Sequence, residues 1–116
     1  EMVYVVMPSI YQNAIKTLSS TSTTDIYECP QGSTAIVKTI SALNTNASNS
    51  ATLIVHVYDD SESALFEFDT GSIAAVTRNG YLKNGEVIVL ESKDKIRMTA
   101  GTADYFDIIV SLLEIT

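Results

Sequence analysis

The stretch Y-F-D-I-I-V-S-L-L-E-I, residues 105–115, has the pattern of a long β-strand. Its even-numbered positions are apolar and share one face, as residues two apart do in a strand: Phe106, Ile108, Val110 and Leu112. The other face adds three large apolar residues, Ile109, Leu113 and Ile115. The opposite sheet of a small sandwich covers only one face of such a strand. The second apolar face therefore predicts that another protein chain packs there.

From Asp25 onward the chain reads as a series of short strands separated by turn signals. Residues 95–100 alternate cleanly between apolar and polar, and residues 35–43 are predicted to form a strand with Val37 and Thr39 on the same face. No amphipathic helical stretch separates the strands, which disfavours a parallel α/β fold. We expect an all-β protein, an antiparallel β-sandwich of jelly-roll or immunoglobulin-like type with about seven or eight strands.

The first part of the chain lacks this regularity. Residues 19–24 are six consecutive Ser and Thr residues, which cannot bury an apolar face. The sequence predicts an extended N-terminal arm with a flexible Ser/Thr segment over residues 1–24, followed by the sandwich domain over residues 25–116.

The composition excludes several classes of function. The chain has 14 acidic and 7 basic residues, a net charge of −7, which argues against binding to nucleic acid or to an anionic membrane surface. Its apolar runs are too short for a membrane-spanning helix, and no secretory signal is evident. With one cysteine, Cys29, and one histidine, His56, the chain can form neither an internal disulfide nor a four-ligand Cys/His zinc site.

The remaining reactive residues do not predict catalysis. Cys29 precedes Pro30 at a strand end without a basic or glycine-rich setting, so we interpret it as a small buried hydrophobe. His56 lies in the middle of an apolar strand without a second metal-binding side chain nearby. We therefore predict no catalytic, cofactor-binding or metal-binding residues and a non-enzymatic protein. A small hydrolase is the least favoured alternative, because no acid–base pair is identifiable.

Acidic residues are the only functional groups in surplus. They cluster between residues 59 and 69, as Asp59, Asp60, Glu62, Glu67 and Asp69. Such oxygen donors suit Ca²⁺, although the spacing lacks the pattern of a known calcium loop. Calcium binding here stays an open alternative beside a simple solvated turn.

Two parts of the sequence resemble the small β-sandwich virion proteins of tailed bacteriophages. The first is the run I-Y-E-C-P-Q-G-S-T-A-I-V-K-T-I, residues 26–40, followed by an Asn/Ser/Ala loop and the V-H-V-Y-D strand end at residues 55–59. The second runs from N-G-E-V-I-V-L, residues 84–90, through Asp94 and Ile96 to the closing L-E-I at residues 113–115. Glu86 and Lys93 depart from the Pro and Gly that this pattern has in the two turns.

The resemblance implies a capsid decoration or cement protein, which would stabilise a phage head through symmetric contacts. A neck, connector or tail-fibre component of the same virion is the alternative. The implied location is the virion, assembled in the host cytoplasm. The implied partners are the chain itself, as a homo-oligomer with a trimer as one option, and other virion proteins such as the major capsid protein, without direct contact to nucleic acid or membrane.

The predicted interface combines aromatic and apolar residues of the arm with the outer face of the last strand: Tyr4, Tyr11, Ile15, Leu18, Ile109, Leu113 and Ile115. A function of another class, a carbohydrate-binding sandwich, would instead use surface tyrosines such as Tyr58 and Tyr81.

Overall fold

The computed structural model describes residues 8–116, and every regular element in that part of the chain is a β-strand. Sheet A consists of β1 (Ser9–Thr17), β3 (Thr34–Asn44), β6 (Arg78–Gly80), β7 (Ile88–Leu90) and β9 (Phe106–Ile115). Sheet B consists of β2 (Thr24–Glu28), β4 (Ala51–Asp59), β5 (Ala64–Ile73) and β8 (Lys95–Ala100). Neighbouring strands are antiparallel, and the two sheets pack together around one core. The predicted all-β antiparallel sandwich is confirmed.

The strand order distinguishes between the two types of sandwich that the sequence allowed. Sheet A runs β1-β9-β3, and the far edge of β3 pairs with both β6 and β7; sheet B runs β2-β8-β4-β5. Apart from the β4–β5 hairpin and the step from β6 to β7, each strand is followed by one in the other sheet. This alternation is the jelly-roll arrangement. No helix among residues 8–116 is long and apolar enough to cross a membrane.

The core lies between the inner faces of the sheets and follows the period-2 pattern of the strands. On β8 the alternate residues Ile96, Met98 and Ala100 are buried, as predicted. On β9 the whole even-numbered set from Phe106 to Leu112 is buried, so β9 forms the centre of the sheet A side of the core. Burying one such side chain stabilises the fold by about 1.5–3 kcal/mol.

The predicted arm requires a correction. Its residues 9–17 form β1, which pairs with β9 along its whole length, from Ser9 opposite Ile115 to Thr17 opposite Asp107. The described part of the segment is therefore a strand of sheet A, and the domain begins before residue 25. The sequence missed this strand because it alternates poorly and its partner lies about a hundred residues away. Residues 1–7 of the predicted arm lie outside the described residues.

Leu18 follows β1 directly and is anchored to the last strand. Its backbone N–H donates to the carbonyl of Phe106 at 3.0 Å, and its own carbonyl accepts from the N–H of Asp104 at 2.8 Å. The side chain is only 1% exposed and belongs to the core. The Ser/Thr run that begins next therefore serves as the crossing from sheet A to sheet B, with its last residue, Thr24, already in β2.

A buried asparagine organises the loop end of the sandwich. The Asn44 side chain at the end of β3 is fully buried, and its Nδ2 donates to the carbonyls of Asn49 and Ile73, each at 3.0 Å. Its Oδ1 accepts from the N–H of Asn46 at 2.9 Å. With both ends of the amide bonded, Asn44 fixes the loop between β3 and β4 against the end of β5.

Candidate interaction surfaces

The outer face of sheet A, on the side away from the core, carries two rows of exposed apolar residues with a polar row between them, and we call it the apolar face. Strand register places its members in rows across β1, β9, β3 and β7, since Tyr11 lies opposite Leu113, which lies opposite Ile36, which lies opposite Val89. Four residues further along β1, Ile15 lies opposite Ile109 on the same face. Four of these side chains are strongly exposed: Tyr11 74%, Ile15 71%, Val89 56% and Ile109 44%. Exposed apolar rows of this kind are typical of an interaction site.

A β-bulge in β3 decides which of its residues reach the apolar face. The register with β9 shifts between Val37 and Thr39. Val37 is buried before the shift, whereas Thr39 is exposed after it, and Ile40 is buried in its place. The prediction that Val37 and Thr39 share a face is therefore wrong, because a bulge inserts one extra residue and reverses the alternation beyond it.

The bulge also shapes a depression in the apolar face. The depression has a volume of about 320 Å³ and is lined by Tyr11, Asn13, Lys38 and Ser111 together with Gln12 and Leu112. At its floor the Ser111 hydroxyl donates to Oδ1 of Asn13 at 2.6 Å. The row that carries these small polar side chains lies lower than the apolar rows on either side, and the Lys38 side chain lines the depression from β3.

The predicted interface residues separate into three groups in the structure. Tyr11, Ile15, Ile109, Leu113 and Ile115 all belong to the outer face of sheet A. Leu18 is a core residue of its own chain, so it offers no surface to a partner. Tyr4 lies outside the described residues.

Sequence reasoning missed three further members of the apolar face, Ile36, Leu43 and Val89. Two of them lie on β3, where the bulge obscured the face assignment, and Val89 lies on a strand of only three residues. The one sequence signal for Val89 was its position between Ile88 and Leu90, whose side chains lie on the opposite face of the strand.

The sandwich has two open lateral sides that differ in structure. One side carries the outer edges of β1 and β2, and the other carries the outer edges of β5 and of β6 and β7. Ile10 of β1 is more than half exposed on the first side. Phe66 and Phe68 of β5 and Val87, just before β7, are exposed on the second. Unpaired strand edges with apolar residues beside them favour pairing with another chain.

The outer face of sheet B has the opposite character, since it is rich in charged groups. A row of ionisable side chains crosses all four strands, from Glu67 through His56 and Arg97 to Asp25. Arg97 pairs with Asp25 through an Nε–Oδ1 contact of 2.6 Å, and Lys95 lies 3.4 Å from both Asp25 and Glu28. The Asp25 carboxylate beside Lys95 raises the pKa of that ammonium group.

His56 is nearly buried within this row, at 6% exposure. Its Nε2 lies 3.0 Å from the Thr99 hydroxyl, while its Nδ1 has no hydrogen-bond partner among the described residues. Burial lowers the pKa of the imidazole and Arg97 lowers it further, although Glu67 opposes the shift. The ring is therefore held neutral near pH 7 by its surroundings, as expected for a structural histidine.

Cys29 is fully buried beside the turn that follows β2. Its N–H donates to the carbonyl of Asp94 at 2.9 Å, and its thiol donates to the carbonyl of Ser33 at 3.4 Å. Burial raises the pKa of this thiol, with Glu114 and Asp94 adding to the effect. A protonated and inaccessible thiol is a poor nucleophile and a poor partner for disulfide exchange.

The acidic turn after β4 is engaged in its own hydrogen bonds. Oδ1 of Asp59 accepts from both the N–H and the hydroxyl of Ser61, at 3.0 and 2.7 Å. Within residues 8–116 no three acidic, histidine or cysteine side chains come together in an arrangement that could hold a metal ion.

The tyrosines singled out for sugar binding are not available as stacking platforms. Tyr81 is a buried core residue, and its phenol pKa is raised by that burial. The ring of Tyr58 lies beneath two cations, with Nζ of Lys95 at 5.4 Å and Cζ of Arg97 at 5.8 Å from its centroid.

Comparison with known proteins gives a likeness at the level of the fold. No family model and no curated protein matches the sequence. Among solved structures, the fold is similar to that of a protein described as belonging to the Bacillus endospore appendages, a family of disulfide-linked pili. The TM-score is 0.51 at 11% identity, and the alignment covers 98% of this chain and 92% of the other.

This likeness corrects the prediction of a phage virion protein. The protein that shares this fold over nearly the whole chain forms a bacterial pilus, so the assignment to a capsid decoration, neck or tail protein is wrong. The predicted virion location and the predicted capsid partner rested on the same resemblance and lose their support. The physical reason is that strands separated by Pro, Gly and Asn turns specify a sandwich, which many unrelated functions share.

Proposed function

We propose that this chain is a non-enzymatic structural subunit that assembles with copies of itself into a fibre-like polymer. The observation that carries the proposal is the difference between the two open sides of the sandwich. Because the β1/β2 side of one copy is unlike its β5/β7 side, a contact between them is heterologous and leaves one free side at each end. Repetition of such a contact produces an open polymer. The fold shared with a pilus protein supports the same role.

The charges of the long edge strands favour contact between opposite sides over contact between identical sides. The outer strand β1 carries one charged residue, Lys16, whereas the outer strand β5 carries Glu67 and Asp69. Two copies that met through their β5 sides would bring four carboxylates together, and like charges across an interface are unfavourable. A β1/β2 side that meets a β5/β7 side places Lys16 near the acidic residues of β5, while the carboxylates of β2, Asp25 and Glu28, are already paired with Lys95 and Arg97 of their own chain.

The position of Cys29 indicates that this assembly is non-covalent. The neighbour is described as a disulfide-linked pilus, but the single thiol of this chain is buried and hydrogen-bonded within its own fold. A disulfide through Cys29 would require local unfolding of the turn around Ser33. The contacts between copies therefore rest on strand edges and apolar surface.

The test uses two variants, each altering one side at an exposed position: Ile10→Lys on the β1/β2 side and Phe66→Lys on the β5/β7 side. Negative-stain electron microscopy and sedimentation velocity of the wild-type protein should show polymers, and each variant alone should stop them from growing. A mixture of the two variants should form only short species, because just one intact contact of this kind exists between them. Thr102→Lys, which adds the same charge on an exposed loop, is the matched control and should polymerise normally. A wild-type protein that never forms polymers would contradict the proposal.

A further inference from the structure

We infer that the Asn84–Gly85 turn is a site of spontaneous chemical modification, at which Asn84 cyclises through the Gly85 nitrogen and then hydrolyses to aspartate or isoaspartate. The chain has two Asn-Gly pairs, Asn79–Gly80 and Asn84–Gly85. Glycine after asparagine favours this reaction, because no Cβ crowds the attacking nitrogen or restricts its backbone. The two pairs differ in structure, and the differences favour Asn84.

Asn84 and Gly85 are the two central residues of a tight turn. Both have positive φ values, 56° and 79°, as a type I′ turn requires. Two hydrogen bonds close the turn, and both join Lys83 to Glu86. The Glu86 N–H donates to the Lys83 carbonyl, and the Lys83 N–H donates to Oε1 of Glu86, each at 3.0 Å. Neither bond uses the Asn84 amide or the Gly85 N–H, and both residues are exposed to water.

The φ of Asn84 already suits the cyclic intermediate. Closing the five-membered ring brings the Gly85 nitrogen in line with Cβ of Asn84, which for an L-residue fixes ψ at about −120°, the value at the first central residue of a type II′ turn. A flip of the one peptide unit between Asn84 and Gly85 converts type I′ to type II′ and keeps the bond from Glu86 to Lys83. Glycine accepts either sign of φ, and a Cβ added to Gly85 would meet no atom within 4 Å, so the turn has room for the flip.

The reaction needs water as its only co-reactant. The Gly85 nitrogen attacks Cγ of Asn84, so that an N–Cγ bond forms and the Cγ–Nδ2 bond breaks. The leaving nitrogen takes the proton that the Gly85 nitrogen gives up and departs as ammonia. Water then opens the ring: addition at Cγ gives aspartate, and addition at the main-chain carbonyl carbon gives isoaspartate. An amide has become a carboxylate, and no atom has been oxidised or reduced.

Asn79 lacks the conditions that favour Asn84. It lies in β6, which pairs with β3, and its φ is outside the positive region. Backbone hydrogen bonds to β3 lie on both sides of it, from the Asn44 N–H to the Thr77 carbonyl at 2.9 Å and from the Tyr81 N–H to the Ile40 carbonyl at 3.0 Å. Its side chain lies against the Tyr81 phenol, where it opposes the rise in that pKa caused by burial. Ring closure at Asn79 therefore requires β6 to leave the sheet.

Modification at Asn84 changes the β5/β7 side of the sandwich, since Val87, three residues later, is exposed there. Isoaspartate routes the main chain through Cβ and so adds a carbon to a two-residue turn, which displaces the segment that leads into β7. Either product also adds a negative charge, by which anion exchange can separate it. Under the proposed function, on which this consequence rests, isoaspartate at position 84 stops polymer growth at the β5/β7 side.

Peptide mapping by mass spectrometry tests the modification itself. Over days at mildly alkaline pH, Asn84 of the folded protein should convert at least about 10-fold faster than Asn79, since cyclisation at Asn79 must first break hydrogen bonds. An isoaspartyl methyltransferase should label position 84. In concentrated guanidinium chloride both pairs lose their structure and should convert at similar rates. Equal rates in the folded protein, or the same ratio folded and unfolded, would overturn the inference.

A variant that cannot cyclise tests the consequence for assembly. Asn84→Gly keeps the positive φ and has no side-chain amide, so it is the matched control. The isoaspartate fraction of aged wild-type protein should form no polymers in sedimentation velocity and should shorten those of fresh protein, because its β1/β2 side still binds. Asn84→Gly aged in the same way should polymerise as fresh protein does.

The outcomes separate this modification from the proposed polymer. A wild-type protein that never polymerises, but converts at Asn84, would remove the polymer and keep the modification. A protein that polymerises while Asn84 stays intact would remove the modification and keep the polymer. Normal polymers from the isoaspartate fraction would overturn the predicted effect on the β5/β7 side.

Discussion

The hydroxyl of Tyr27 donates a hydrogen bond to the Glu114 carboxylate at 2.5 Å and thereby connects the two sheets, since Tyr27 lies on β2 and Glu114 on β9. The same carboxylate oxygen accepts from Nε2 of Gln12 on β1 at 2.7 Å. Burial and the neighbouring carboxylate raise the pKa of Tyr27 far above its ordinary value, so the phenol stays protonated as a donor. One carboxylate thus joins β1, β2 and β9 at the end where β1 begins.

Removing this hydroxyl should destabilise the fold. Tyr27→Phe leaves a half-buried carboxylate with one donor fewer, and we expect the free energy of unfolding in urea to fall by about 2 kcal/mol. Tyr105→Phe is the matched control, because its hydroxyl accepts only a 3.3 Å hydrogen bond from exposed Asn49, and it should change stability by less than about 0.5 kcal/mol. Equal effects of the two substitutions would contradict a structural role for the Tyr27–Glu114 bond.

A substitution at Leu18 tests whether residues 9–18 are part of the folded domain. Leu18→Ala should lower the free energy of unfolding by about 2–5 kcal/mol, because it opens a cavity in the core. Ile15→Ala, three residues earlier on the exposed apolar face, should change it by no more than about 0.5 kcal/mol at concentrations where the protein is monomeric. If Leu18→Ala were as mild as Ile15→Ala, residues 9–18 would not be integrated into the fold in solution.

Acidification should destabilise the protein through His56. The folded protein holds this imidazole at a pKa below its ordinary value of 6.5, so the unfolded chain binds more protons as the pH falls below about 7. The contribution of His56 to stability is complete above pH 7 and decreases as the pH falls toward the folded-state pKa.

Variants at His56 and its neighbour isolate this contribution from that of the carboxylates. His56→Gln should make the loss of stability between pH 7.5 and pH 5 smaller than in the wild type, as measured by urea unfolding. Glu67→Gln should make it larger, because removing the carboxylate lowers the imidazole pKa further. An identical pH profile for wild type and His56→Gln would show that the histidine titrates alike in the folded and unfolded states.

The thiol of Cys29 should be protected in the native protein. A chromogenic disulfide reagent should modify it only through local or global opening, and at once in concentrated guanidinium chloride. Thr102→Cys supplies an exposed thiol in the same molecule as an internal standard. Reducing agents should accordingly leave the proposed polymers intact, whereas polymers that dissolve on reduction would indicate covalent links between copies.

Val76 is a strained residue in the turn after β5. A β-branched residue at a φ of +54° is unfavourable, and at 68% exposure its side chain gains little from packing. Val76→Gly should therefore raise the free energy of unfolding by about 1 kcal/mol. Ala75→Gly, which is next to it and outside the positive-φ region, should lower stability by about 0.5–1 kcal/mol. The same sign for both substitutions would argue against strain at Val76.

The fold class was accessible from the sequence because a strand's alternation is a local property. Ile96, Met98 and Ala100 alternate with polar residues, and the even-numbered residues of β9 are all apolar, so their burial followed from a period of two. The turn at Asn84 and Gly85 was likewise readable, and both residues have positive φ values, 56° and 79°.

The apolar face was only partly predictable. The odd-numbered residues of β9 indicated a second surface, and Ile109 is indeed exposed on the outer face of sheet A. The contribution of Ile36 was not predicted because the bulge at Lys38 reverses the alternation of β3. No local sequence pattern predicts a bulge of this kind.

The amino-acid sequence by itself determined that this chain is a sandwich with a two-faced last strand, because apolar periodicity and turn residues act over a few positions. Only the tertiary structure decided that residues 9–17 complete sheet A, that Leu18 belongs to the core and that Tyr27 meets Glu114. Each of these depends on pairing between residues some ninety to a hundred positions apart. Such pairings are set by how the whole chain closes around its core, and no short stretch of sequence contains them.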